Sequence, residues 1–459
     1  MYKPYAKPVL TARADVKLPE PVISKFVFFL LKGLGRLYLF LFYGIARILL
    51  RGEKELFDSF KRALAGDSRC IIAFRHPNGG EPQLLAWFFL FRLRTLAARQ
   101  GVIFCKQPHA HMIYGYEVAR WGGWVARFVL PYVGAMPVHH SKIDRQGMKR
   151  IYDAIYKGMY PIALAPEGQV SYTTDTIPHI EQGAIRIGFH AAEVLNNNEK
   201  KIPLEVLPVS VHARFGKWGR YTMEKLLKKT EKYSLIRPNK ETKKLSFSMR
   251  VERCRDHILE INEQRYQINA DKSLPFEKRL DAVIDAALEK AENILGVKTS
   301  GDFFSRMYSL RQTCWDRIIL PGVDTLDTMT KAERGTYDLR AGEAWYASRH
   351  VELIDFSWYF RVPIPADDVA LHYKVEYVQN LWDFINRSIG GAYSNRINIL
   401  PRKVIIQCAP PINLSERLPS YRQDRAETIQ KTMTDLENAY LDCIDKVNKS
   451  VLNQEIPGN

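Results

Sequence analysis

The sequence predicts an α/β fold: a mixed sheet flanked by helices, preceded by N-terminal interfacial membrane helices and accompanied by a mainly helical insertion or C-terminal extension. Three observations predict it. Between about 65 and 215, short apolar runs alternate with helical patterns, as they do where a sheet is covered by helices. Residues 22–50 are rich in Phe, Leu and Tyr but carry interspersed Lys and Arg. From 246 to about 395 the periodicity is chiefly helical.

Taken in order, residues 1–21 are rich in Pro and Lys and read as extended. In 22–50, no run reaches the roughly 18 uncharged residues of a confident membrane span. Lys25, Lys32, Arg36 and Arg47 fall on one narrow stripe of a continuous helix, which suits a helix lying in the interface with its cations at the headgroups. Gly33 and Gly35 offer a break into a helical hairpin, and a buried core helix is the competing reading. A cleaved signal peptide is disfavoured, because no small-residue cleavage site follows the apolar stretch. Strands are expected at Cys70–Phe74, Val102–Cys105, Ile162–Ala165 and Leu204–Val211. A helix near 81–99 carries Trp87, Phe88, Phe89, Leu90 and Phe91 beside Arg92, Arg94 and Arg99, either as core or as a surface for apolar ligand or membrane. Residues 220–245 are a Lys-rich exposed connection, 274–295 is a clear amphipathic helix, and Lys403–Cys408 reads as a strand again.

Composition bounds the function. A chain of 459 residues with 46% hydrophobic and 25% charged side chains is globular, with room for an accessory domain. The net charge is +17; residues 1–51 hold nine Lys or Arg against Asp15 and Glu20, and residues 71–150 hold eleven against Glu81, Glu117 and Asp144. The surplus therefore sits in the first third with the apolar segments, a pairing that suits an anionic bilayer and not nucleic acid. Six widely spaced cysteines read as free thiols in a reducing compartment. His109 and His111 form a short H-x-H that reads as a polar turn in preference to a metal site.

The chemistry is concentrated in Arg75-His76-Pro77-Asn78-Gly79-Gly80-Glu81. An apolar run ends there, and Glu81-Pro82 opens a helix, with Pro suited to the first turn. At such a junction a carboxylate can hold one nitrogen of His76 and leave the other free to take a proton from an alcohol. Three further segments follow: Gly134-Ala135-Met136-Pro137-Val138-His139-His140, Ala165-Pro166-Glu167-Gly168-Gln169 and Val206-Leu207-Pro208-Val209-Ser210-Val211. Over roughly residues 60–215, the order and spacing of the four blocks resemble the glycerolipid acyltransferase family, whose typical member is the lysophosphatidic acid acyltransferase. That family shows N-H-x-x-x-x-D, G-x-x-F/P-V-x-R, F-P-E-G-T-R-S and a V-P-V-like strand.

The resemblance implies an O-acyltransferase of phospholipid metabolism that moves a fatty acyl group from acyl-CoA or an acyl-carrier protein to a hydroxyl of a lysophospholipid or glycerolipid. His76 would be the general base and Glu81 would take the place of the family's Asp, keeping its charge. Pro166, Glu167 and Gly168 would form the acceptor-binding turn, with Glu167 bonding a hydroxyl or a nearby Arg and Gly168 admitting backbone close to the ligand. Two departures concern phosphate contacts: Gln169-Val170-Ser171 stands where the family has T-R-S, and His140 stands where the second block ends in Arg. Lys142, Arg145, Lys149, Arg150 and Arg75 are the available cations, with Arg145, Arg150 and Arg75 the leading candidates for the acceptor phosphate; a non-phosphate acceptor is the other option. No cofactor or metal is expected beyond the acyl donor as co-substrate. The expected partners are the lipid bilayer, the acyl donor, the lysolipid and, for a carrier-protein donor, that protein. The expected location is the cytoplasmic face of a membrane, monotopic or peripheral. Domain limits follow: 1–54 interfacial, 55–220 catalytic, 221–397 a helical insertion, and 398–459 a returning strand and terminal helix; a separate helical domain after 220 is the alternative. A non-catalytic lipid-binding relative remains open.

Overall fold

A computed structural model describes residues 5–139, 144–177, 179–197, 199–234, 244–392 and 396–455. The chain divides into two compact units: Met1–Lys17 with Phe215–Leu400, and Leu18–Arg214 with Pro401–Asn459. In chain order the elements begin with β1 (Arg13–Ala14), α1 (Lys25–Tyr43), β2 (Ile45–Arg51), α2 (Glu53–Ala65) and β3 (Arg69–Phe74). Next comes α3 (Glu81–Phe88), which runs through a π-helical turn (Phe89–Leu93) into α4 (Arg94–Arg99). They continue with β4 (His111–Gly115), α5 (Tyr116–Trp121), α6 (Gly123–Tyr132), β5 (Met136–Val138), α7 (Arg145–Lys157), β6 (Ile162–Leu164), α8 (Gly183–Asn196) and β7 (Leu204–Phe215). The helical stretch is α9 (Lys217–Tyr233), α10 (Phe247–Arg265), α11 (Phe276–Leu295), α12 (Phe303–Ile318), β8 (Ile319–Leu320), α13 (Lys331–Ser357) and α14 (Leu371–Ser388). The chain closes with β9 (Arg402–Cys408), β10 (Ile412–Asn413), α15 (Leu418–Gln423) and α16 (Arg425–Glu455).

The sheet runs β2-β9-β7-β3-β6-β4-β5, with β10 added to β7. The β2/β9, β7/β3, β3/β6, β6/β4 and β4/β5 pairs are parallel, and β10 is antiparallel to β7, which makes the sheet mixed. The period of two along β3 explains the layers. Cys70, Ile72 and Phe74 join one core with α2, α3 and α4, while Ile71 and Ala73 join a second core with α7, α8, α15 and α16. Both faces of β3 and β7 are therefore covered: β3 reads as a continuous apolar run from Cys70 to Phe74, and β7 is buried from Leu204 to Arg214 although it carries Glu205, Ser210, His212 and Arg214.

Four expectations need correction in this unit. Val102–Cys105 is not a strand: Phe104 is buried in the core, Ile103 is exposed, and the sheet position is taken by β4. Helix α1 is continuous through Gly33 and Gly35; Ser24 caps its start by accepting from the Val27 N–H, and left-handed Gly44 ends it. Arg47 consequently lies on β2, so the basic stripe of the helix holds Lys25, Lys32 and Arg36 alone. Arg36 itself donates to the carbonyls of Ile45 (2.7 Å) and Ala46 (2.8 Å), tying the turn after α1 in place of a headgroup. The expected 1–54 segment is also divided: β1 pairs with β8 of the helical unit, and β2 is a strand of the sheet.

The helical unit is built around α14, which is buried from Val375 to Ser388. On α11 the apolar stripe read from the sequence is Leu280, Val283, Ile284, Ala287, Leu288, Ala291 and Ile294; the first six are buried and Ile294 is half-buried. Two buried polar groups on α14 find partners in the segment before β9: Gln379 donates to the Ile397 carbonyl at 2.8 Å, and Asp383 pairs with Arg396.

Candidate active site

The carboxyl ends of adjacent parallel strands form the usual site of α/β sheets, and β3 and β6 are such neighbours. Beyond Phe74 the Arg75 N–H continues the ladder to the Val209 carbonyl at 2.9 Å. The chain then turns through Gly79, whose φ of +81° favours glycine, and α3 starts at Glu81. Here His76 Nδ1 lies 2.7 Å from Glu81 Oε2, and the same oxygen accepts the Asn78 N–H at 3.1 Å. Burial alone would raise the Glu81 pKa; the hydrogen bond and charge of His76, the charge of nearby Arg402 and the Asn78 N–H outweigh it, and the net shift is downward. Glu81 is thus a buried carboxylate that accepts the Nδ1 proton. That tautomer, assigned from the bonding pattern, leaves the lone pair on Nε2. The His76 side chain is 15% exposed against 4% for Glu81, so the partially open member of the pair is the imidazole.

The turn after β6 holds His76 from the other side. Glu167 Oε2 accepts the His76 backbone N–H at 2.6 Å, and the His76 carbonyl accepts the Ser171 N–H at 2.9 Å. The other oxygen of Glu167 accepts from Arg75 Nε at 2.9 Å, with both side chains almost fully buried. The rest of the Arg75 fork donates to the carbonyls of Thr174 (2.7 Å), Thr173 (3.0 Å) and Thr176 (2.7 Å). Arg75, expected among the phosphate-contacting cations, is instead an internal tie between β3, the Pro166-Glu167-Gly168 turn and the 171–177 loop. At Gly168 φ is +68°, and an added Cβ would lie 2.2 Å from Glu181 Oε1, so the Glu181 side chain packs against this glycine. The Pro166 carbonyl accepts the Glu181 N–H at 2.6 Å.

A further layer was not legible in the sequence. Asp175, at the end of the loop that holds Arg75, lies 3.1 Å from His212 Nδ1 on β7 and accepts from Arg214 (3.3 Å) and Asn448 (3.0 Å). His212 is fully buried, and burial pushes its pKa down from 6.5 to about 4 despite Asp175. Tyr440 of α16 donates to the Ala73 carbonyl at 2.9 Å, at the end of β3. These residues lie about 100 to 370 positions from His76 and share no motif with it. Arg402 is another such contributor, because its charge reaches Glu81 from the start of β9.

The remaining candidates are dispersed. His140 and Lys142 lie outside the described residues. Arg145 and Lys149 are exposed on α7, and Arg150 makes a two-pronged pair with Glu20, whose carboxyl it holds below the ordinary range. Neither Arg145 nor Arg150 bonds His76, Glu81 or Glu167 among the described residues. His109 and His111 donate to the carbonyls of Val133 (2.9 Å) and Gly134 (2.8 Å), holding the turn before β5; burial lowers the pKa of both. All six cysteines are unpaired, and burial raises the pKa of Cys70, Cys254, Cys314, Cys408 and Cys443, which disfavours thiolate chemistry there.

Fold and site together define an α/β protein with a buried carboxylate–imidazole pair at the strand ends. A scan against protein-family models finds no match to this chain, and a search of curated proteins finds no significant relative.

Proposed function

We propose that the protein is a membrane-surface O-acyltransferase, moving a fatty acyl group from a thioester donor, acyl-CoA or an acyl-carrier protein, to a hydroxyl of a lysophospholipid or glycerolipid. The observation that carries this reading is the 2.7 Å His76–Glu81 pair, with the His76 backbone fixed by Glu167 of the β6 turn at its N–H and by Ser171 of the following loop at its carbonyl. His76 Nε2 takes the acceptor proton as the hydroxyl oxygen attacks the thioester carbonyl. The carbon–oxygen bond forms, the carbon–sulfur bond breaks, and the imidazolium returns its proton to the departing thiolate. No acyl-enzyme is needed. Base catalysis of this kind contributes about 10²- to 10⁴-fold.

The surroundings of the pair suit a lipid. Helix α1 buries Val27, Gly35 and Leu39 and packs on α3 and the turn before it, with Gly35 under Trp87 and Tyr43 against Gly80. Its opposite face exposes Phe26, Phe29, Leu34 and Leu41, each about half exposed or more. Near its start, Trp124 and Phe128 on α6 are exposed as well. Among the described residues α1 is the helix long and apolar enough to cross a membrane. Its contacts with α3 and the 77–81 turn favour an in-plane placement, with one face on the protein and the other in lipid.

A neutral or zwitterionic acceptor is the second reading, and a specific observation favours it. Two of the three cations assigned to an acceptor phosphate are occupied: Arg75 by Glu167 and three carbonyls, Arg150 by Glu20. An acyl-transfer assay on the full chain decides between them, using lysophosphatidic acid, lysophosphatidylcholine and monoacylglycerol with both donors and lipid mass spectrometry. Acylation of lysophosphatidic acid alone supports the phosphate acceptor; acylation of the other two supports the second reading. No product with any pair removes both and leaves a non-catalytic lipid binder.

A further inference from the structure

We propose that the outward face of α9 is a docking surface for an anionic lipid bilayer, carried by the helical unit and independent of the acyltransfer reading. The helix sequence KWGRYTMEKLLKKTEKY buries Gly219, Met223, Leu226, Leu227 and Thr230. At about 100° per residue, Lys217, Trp218, Tyr221, Lys225, Lys228 and Lys232 fall within roughly 100° of arc on the opposite side, and all are exposed. Trp218 is 68% and Tyr221 50% exposed, so neither aromatic ring is committed to the core.

The charge on this face is uncompensated. The helix carries two acids, Glu224 and Glu231, and both are turned to Arg250 of α10, at 3.0 Å and 2.8 Å. The four outward lysines have no acidic partner among the described residues. Charge and aromatics together select the occupant. Trp and Tyr are the residues that settle at headgroup level, and lysine stems can lie along apolar surface while the ammonium reaches phosphate. The face holds lysines only, whereas bidentate recognition of bases or protein carboxylates draws on Arg. Arg220 lies off this arc.

Vesicle flotation of the full chain tests the proposal. On phosphatidylcholine vesicles containing roughly a third phosphatidylserine, K225Q/K228Q should lower the partition coefficient about tenfold or more, from the usual contribution of a lysine at an anionic surface. On pure phosphatidylcholine it should match wild type, and K225R/K228R should bind the anionic vesicles as wild type does. Brominated phosphatidylcholine in anionic vesicles should quench wild-type fluorescence more than that of Trp218→Phe. Unchanged partition on anionic vesicles, an equal loss on neutral ones, or identical quenching in the two proteins would overturn the proposal. Displacement of the vesicles by single-stranded oligonucleotide with loss of the same lysine dependence would assign the face to nucleic acid and also overturn it.

Discussion

Arg75 separates a binding role from a structural one more sharply than any other residue here. Its guanidinium is buried and spends its donors on Glu167 and three loop carbonyls. Arg75→Ala leaves the Glu167 carboxylate buried without its cation, a change that costs about 3–5 kcal/mol. The expected outcome is a large drop in the urea midpoint and in kcat; a rise in acceptor KM alone, with stability intact, would restore Arg75 as a ligand for substrate. In the proposed mechanism Glu81 acts through His76, which it contacts at 2.7 Å. Glu81→Gln keeps the volume but removes the charge, so kcat should fall well below that of Glu81→Asp, and steady-state kinetics of the two variants check the order. The depressed Glu81 pKa also fixes a sign: its stabilising contribution is present above the ordinary value of 4.5 and is lost as pH falls through the folded value.

The turn and loop that carry these residues are held by neighbours remote in sequence. Gly80 has an ordinary φ, but a Cβ there would meet Tyr43 Cδ1 at 2.6 Å. Gly80→Ala should therefore push α1 from the 77–81 turn and lower kcat, while Tyr43→Ala in the same chain restores part of it. Rescue of turnover in the double variant is the measurement. The Asp175–His212 pair anchors the loop that holds Arg75, and its titration is readable. The unfolded chain protonates His212 near 6.5, the folded chain near 4, so the unfolded state binds more protons between those values and stability falls as pH drops through them. The urea midpoint should decline less steeply over that window in His212→Gln than in wild type; parallel slopes would show that His212 is not held neutral. How much of this was legible follows from the physics. The His76–Glu81 pairing was readable because five residues across a turn fix it locally. The strands at 70–74, 204–211 and 403–408 were readable because burial on both faces makes apolar runs. The Asp175, His212 and Asn448 contacts were not, since they arise from strand order and a terminal helix. Strand β2 was hidden for a related reason: its apolar residues continue those of α1, and only Gly44 marks the change of period.

At the scale of the molecule, the apolar outer face of α1 and the His76–Glu81 pair lie in one unit but on different elements, so on the proposed reading membrane contact and chemistry should separate by mutation. Replacing Phe29 and Leu41 by Glu should release the protein from neutral vesicles, with little change in turnover on monomeric short-chain acceptors, since neither residue lies on the α3 side. A matching loss of turnover on soluble substrates would mean that α1 serves the site itself. The most direct test of the central claim is product formation by His76→Ala beside wild type, in one preparation with equal vesicle binding. Acylated lipid is followed by mass spectrometry and free thiol by release from the donor. Wild type should yield the two in equal amounts, and His76→Ala should fall about 100-fold or more, the usual scale for a lost general base. Retention of more than about a tenth of wild-type turnover, or thiol release without acylated lipid in the wild type, would contradict it.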